Sequence, residues 1–138
     1  MWLTILLWFT LLLMAVISFL MGVVLLKHVK LDKFERRLVF SMSLFSMLWG
    51  SGYVFMAISS TDTGAAIGRG VSIFGEYAFL MASLWFFEFY CKCFNSKKCV
   101  LLVTDTVFAF ICAVLSVLSE TVTFVPTKFG MSFYTHDG

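Results

Sequence analysis

Charge is what this sequence has least of. Only 13% of its 138 residues are Asp, Glu, Lys or Arg, against 61% that are hydrophobic, 17 of them Phe. A soluble domain of this size needs far more polar surface, so lipid is the expected solvent. Proline occurs once, leaving the long apolar stretches free of helix breakers. No N-x-[ST] acceptor is present, which sits comfortably with a bacterial plasma membrane. No HExxH, glycine-rich phosphate loop or nucleophile and base pair occurs, and the polar residues are too sparse to build a catalytic site. An enzyme is therefore not expected, nor a cofactor, nor a nucleic-acid partner. CxxC, the usual redox signature, is missing too. No positive charge precedes the first apolar run, and its core is twice the length of a cleaved secretory signal, so that run is expected to stay as a helix.

What is there is four apolar runs, at about 2–26, 38–58, 71–94 and 99–118. Each reaches the roughly 20 residues that cross about 30 Å of hydrocarbon. Because lipid leaves no backbone group a water partner, and no run alternates like a barrel strand, each is expected to be a helix. The expected fold class is all-α, a polytopic four-helix transmembrane bundle over 1–118 with a tail at 119–138.

The loops carry the orientation. Lys27, Lys30, Lys33, Arg36 and Arg37 follow the first run, and Lys92, Lys97 and Lys98 lie between the third and fourth. The other side holds only Arg69, in SSTDTGAAIGRG, and Lys128. Positive charge collects on the cytoplasmic side, so loops 27–37 and 92–98 are expected there, with both chain ends outside. Trp2 and Trp8 fit an interfacial belt at the outer end of the first helix. The tail TVTFVPTKFGMSFYTHDG is too apolar for a free solvated end and resembles a loop leading to a further helix, which makes a fragment of a longer protein the expectation.

Small residues at Ser43, Ser46, Gly50, Ser51, Gly52 and Ala57 give the second helix a face that lets a neighbour approach closely. Packing is the simpler reading, and a ligand groove beside Trp49 and Tyr53 the sharper one. Gly64 and Gly68 have GxxxG spacing but fall in the outer loop at the start of the third run. Glu76, Glu88 and Asp105 lie in or near the apolar runs, where acids are costly. Glu88 has Lys92 four residues on, the spacing of an intrahelical ion pair. Asp105 has no basic residue within a turn. Glu88 and Asp105 fall at similar depth on neighbouring helices, where two carboxyls can share a proton. Glu76, beside Tyr77, lies near the outer end, open to water or a ligand. Cys91, Cys93 and Cys99 with His28 supply the donor types of a Cys3His zinc site, but C-x-C-x5-C is no recognised spacing; free thiols, and no metal, are expected.

The run from Arg36 to Tyr90 resembles the N-terminal seven-helix sensor region of bacterial membrane histidine kinases and some diguanylate cyclases. The resemblance is carried by the basic residues before the second helix, by LWGSGYVF with Trp49 and Gly52, and by GEYAFLMASLWFFEFY with Glu76, Tyr77, Trp85 and Tyr90. Two departures stand beside it: Ala82 and Ser83 occupy positions where that region often has proline, and the polar segment expected after the fourth helix has no counterpart.

The resemblance implies signal reception. A ligand or membrane state would favour one helix packing and bias a cytoplasmic kinase or cyclase output. Trp49, Tyr53, Glu76 and Tyr77 would line the sensing surface, and Glu88 and Asp105 would set the packing at the inner side. A small oligomeric transporter or channel using its intramembrane acids is the rival, weakened because the first helix has none. An accessory subunit packed on a larger membrane partner is the third reading. Membrane lipid, further copies of the chain or a larger signalling assembly are the expected partners.

Overall fold

The computed structural model describes residues 2–91, 96–118 and 122–135. Four helices follow in order, α1 (Trp2–His28), α2 (Lys33–Ile58), α3 (Asp62–Tyr90) and α4 (Ser96–Leu118), and then two strands, β1 (Val122–Thr127) and β2 (Gly130–Thr135). All four helices are long and apolar enough to cross a membrane. At 1.5 Å per residue α3 measures about 43 Å, well beyond a hydrocarbon core of about 30 Å, so it must tilt or protrude from one.

α2 and α3 both begin earlier than their apolar runs. The reason is capping. Glu35 accepts from the Asp32 backbone N–H at 3.0 Å, so the basic segment before the second run is already helical. Thr61 accepts from the Gly64 backbone N–H at 3.2 Å, which starts α3 at Asp62 and turns most of the expected outer loop into helix. Gly68 and Arg69 thus belong to α3. At the other end of α1, Arg36 donates to the Leu26 carbonyl at 2.8 Å and satisfies one of the acceptors that a helix terminus leaves open.

Packing is sequential, α1 on α2, α2 on α3 and α3 on α4, with the α2–α3 interface much the closest. Small size makes that approach possible. Ala65, Gly68, Ser72, Gly75 and Ala82, spaced by threes, fours and a seven, are the buried positions of α3. A methyl group added at Gly68 would lie 2.5 Å from the Met56 nitrogen, and one at Gly75 2.5 Å from that of Trp49. A methyl group at Gly52 would in turn meet the Ser72 nitrogen at 2.5 Å, so these helices touch backbone to backbone. The small residues of α2 are divided between two neighbours. Gly52 faces α3, whereas Gly50 packs on Ala15 and Ser43 on Gly22 of α1. Gly68 is therefore consumed inside the chain and does not present a GxxxG face to another one.

The outside of the helices is as apolar as the inside. Leu6, Phe9, Met14, Phe87, Phe108 and Leu118 are among many large hydrophobic side chains left exposed, while Ser72 is the largest side chain fully enclosed. The accessible surface is 9566 Å², against about 7,200 Å² for a compact soluble protein of this mass. Such an exterior is compatible with membrane insertion.

Where a tail resembling a loop to a further helix was expected, β1 and β2 pair antiparallel from Val122 with Thr135 to Thr127 with Gly130. The turn is held at both ends. Thr127 Oγ1 donates to the Gly130 carbonyl at 2.7 Å and accepts from the Phe129 N–H at 3.2 Å. Gly130 has φ +114°, a conformation that side chains disfavour, and its Cα sits against the Ala57 carbonyl near the end of α2. Trp8 Nε1 donates to the Phe129 carbonyl at 2.9 Å. Trp8 therefore anchors the hairpin to α1, while the Trp2 side chain lies outside the described residues.

Candidate functional site

α3 carries aromatic and flexible side chains on the face that its small residues leave free. Phe74, Tyr77, Met81 and Trp85 recur at helical spacing and form the floor of a cleft of about 310 Å³. Leu38, Ser41 and Phe45 of α2 make one wall, and Thr106, Ala109, Phe110 and Ala113 of α4 the other. The lining is almost wholly apolar. Its main polar contact is internal: Trp85 Nε1 donates to Thr106 Oγ1 at 3.0 Å, and that hydroxyl donates to the Leu102 carbonyl at 2.7 Å. This chain ties α3 to α4 across the cleft.

The four candidate sensing residues do not form one site. Tyr77 lines the cleft; Trp49, Tyr53 and Glu76 do not. The Trp49 backbone lies in the α2–α3 seam, its ring sits 6.4 Å from that of Phe79, and its buried Nε1 has no acceptor among the described residues. Tyr53 is exposed near the end of α2, and Glu76 is half-buried.

Nor are the two inner acids brought together. Glu88 lies two residues from the end of α3, where its Oε2 stands 3.2 Å from Lys98 Nζ at the start of α4. Lys92, its expected partner, lies outside the described residues. Asp105 sits nine residues into α4, about 13 Å along its axis, and its side chain is exposed beside that of Thr104.

The thiols offer no assembled centre. Cys91 is exposed, Cys99 and Cys112 are half-buried free thiols, and Cys93 lies outside the described residues. His28 is exposed at the end of α1. Among the described residues no three His, Cys, Asp or Glu side chains converge on a metal position.

Arg69 was expected on a loop and is instead a tie. Its guanidinium donates to the Ser116 carbonyl at 2.8 Å, in the last turn of α4, and stacks 5.2 Å from the Phe133 ring of β2. The Trp85–Thr106 bond and this Arg69 tie were missed in the sequence. The i, i+3, i+7, i+11 spacing of Phe74, Tyr77, Met81 and Trp85 was the signal for the cleft. No protein-family model matches the chain, and neither does any curated protein or solved structure.

Proposed function

We propose that the chain is a multi-pass membrane protein of the bacterial inner membrane and the input region of a signalling assembly. Its basic turns face the cytoplasm, and its amino terminus, α2–α3 turn and hairpin face outward. In this reading an occupant of the α2–α3–α4 cleft favours one spacing of α4 against the α2–α3 pair, and that bias passes to a cytoplasmic kinase or cyclase. A ligand can move such an equilibrium only by as much as it prefers one state.

The observation that carries the reading is the cleft itself, an aromatic-floored space between helices that neither Glu88 nor Asp105 lines. Ion or proton transport would call for polar groups along such a space, so the transporter reading draws less support. The resemblance of 36–90 to a sensor region points the same way. A larger membrane partner draws support from one separate fact: Asp105 stands exposed within the apolar α4, where a carboxylate facing lipid is costly.

Two measurements test the proposal. With the native cysteines replaced by serine, single cysteines at Lys30 and at Lys128 should label from opposite sides of the membrane, Lys128 from outside. Labelling of both from one side would refute the orientation. Spin labels at Ser41 and Phe110 should then change separation when the cleft is filled; a fixed distance under every ligand tried, with binding demonstrated, would refute the switch.

A further inference from the structure

Ser41 belongs to two concavities at once. With Leu38 it lines the inner part of the apolar cleft, and toward the start of α2 it joins Leu26, Arg36, Arg37 and Phe40 around a basic recess. Arg37, Ser41 and Phe45 follow at four-residue steps, which places them on one face of the helix. The two concavities therefore adjoin at Ser41, one rimmed by arginine and the other apolar.

The polar groups at the junction are uncommitted. The guanidinium of Arg36 is held by the Leu26 carbonyl, but Arg37 is exposed and has no bonded partner among the described residues. Ser43 and Ser51 donate to the Val39 and Leu48 carbonyls of their own helix, whereas the Ser41 hydroxyl has no such bond among the described residues. The apolar part has a telling length. From Phe74 to Trp85 it runs eleven residues of α3, roughly 16 Å, close to half of a hydrocarbon core of about 30 Å.

We propose that the two concavities together bind one anionic glycerophospholipid, with its phosphate at Arg37, its ester region at Ser41 and one acyl chain along the cleft as far as Phe74 and Ala113. The charge of the recess selects an acidic headgroup, and the cleft's length fits a chain that ends at mid-bilayer. The inference rests on the membrane reading above, and it names the chemistry of the occupant that reading leaves open.

The test uses the full chain in uncharged detergent. With Trp2, Trp8 and Trp49 replaced by phenylalanine, phosphatidylglycerol and phosphatidylcholine with the same brominated acyl chains are titrated in, and quenching of the remaining Trp85 fluorescence reports the cleft. Phosphatidylglycerol should bind the more tightly, and added salt should narrow the difference. Arg37→Gln, an exposed substitution that leaves the fold alone, should weaken phosphatidylglycerol roughly five-fold and phosphatidylcholine, whose phosphate is offset by its own choline cation, much less. Ala78→Leu, which fills the cleft, should weaken both lipids, with circular dichroism confirming that the helices persist. Equal affinity for the two lipids, an unaltered preference in Arg37→Gln, or displacement of the lipid by inorganic phosphate alone would overturn the proposal. Failure of the orientation shows separately, in the cysteine labelling.

Discussion

Replacing a single glycine of α3 by alanine should stabilise or destabilise the protein according to which face it occupies, and both signs can be worked from the structure. Alanine gains about 1 kcal/mol over glycine in a helix interior through backbone entropy. At Gly70 nothing opposes that gain, because the added methyl would meet only the Val117 side chain at 3.4 Å, ordinary contact. At Gly75 the same methyl would lie 2.5 Å from the Trp49 nitrogen and 2.9 Å from the Phe45 carbonyl oxygen. Ordinary contact begins near 3.4 Å, so backbone must retreat from backbone by about 1 Å along the closest interface in the chain. Overpacking of that kind costs about 1–3 kcal/mol. Gly70→Ala should therefore be up to about 1 kcal/mol more stable than the parent, and Gly75→Ala up to about 2 kcal/mol less stable. Gly68→Ala should behave like Gly75→Ala. Once either substitution has opened the seam the other should cost less, so the double variant should lose less than the sum. Reversible unfolding in mixed micelles, followed by circular dichroism and tryptophan fluorescence, measures all four. Equal stability of the three single variants would refute the account of α2–α3 packing.

Three further outcomes are expected. Thr106→Val removes the acceptor for Trp85 and should lower stability by about 0.5–1.5 kcal/mol while shifting Trp85 emission; an unmoved spectrum would argue against the bond. Asp105→Leu should raise the insertion efficiency of α4 in a translocon assay by the equivalent of about 3 kcal/mol. If the same variant instead fails to accumulate in cells, a partner covers that face. Gly130→Ala must enter a disfavoured backbone region against the Ala57 carbonyl, so it should release the hairpin, seen as faster proteolysis at 122–135 with unchanged helical content.

The helices were legible because their apolar length is set by hydrocarbon thickness, a constraint that composition alone registers. Their starts were not. Hydropathy marks where a chain becomes greasy, whereas Thr61 and the Asp32–Glu35 pair mark where it begins to coil, and the two differ by several residues in α2 and α3. That difference moved Gly68 and Arg69 from a loop to working positions in a helix. The candidate site was legible by residue type and not by face. Trp49 and Tyr77 carry the same aromatic signal, yet one packs at a seam and the other lines a cleft, and only the positions of Gly52, Gly68 and Gly75 separate them. The hairpin went unread because its strongest determinant, the close approach of Gly130 to Ala57, joins residues far apart in the chain.

Sequential packing gives the molecule two unlike edges. In a closed ring of helices every surface has a neighbour and the number of members is fixed. Here, among the described residues, α1 and α4 share no substantial interface; α1 packs on α2 and touches the hairpin through Trp8, and α4 packs on α3. The closely packed α2–α3 pair is a spine, and α1 and α4 are leaves hung on either side of it. Helices from the same or another chain can add beside α1 or α4 without breaking a backbone contact, so assembly and internal stability can be altered independently, by substitutions on different helices.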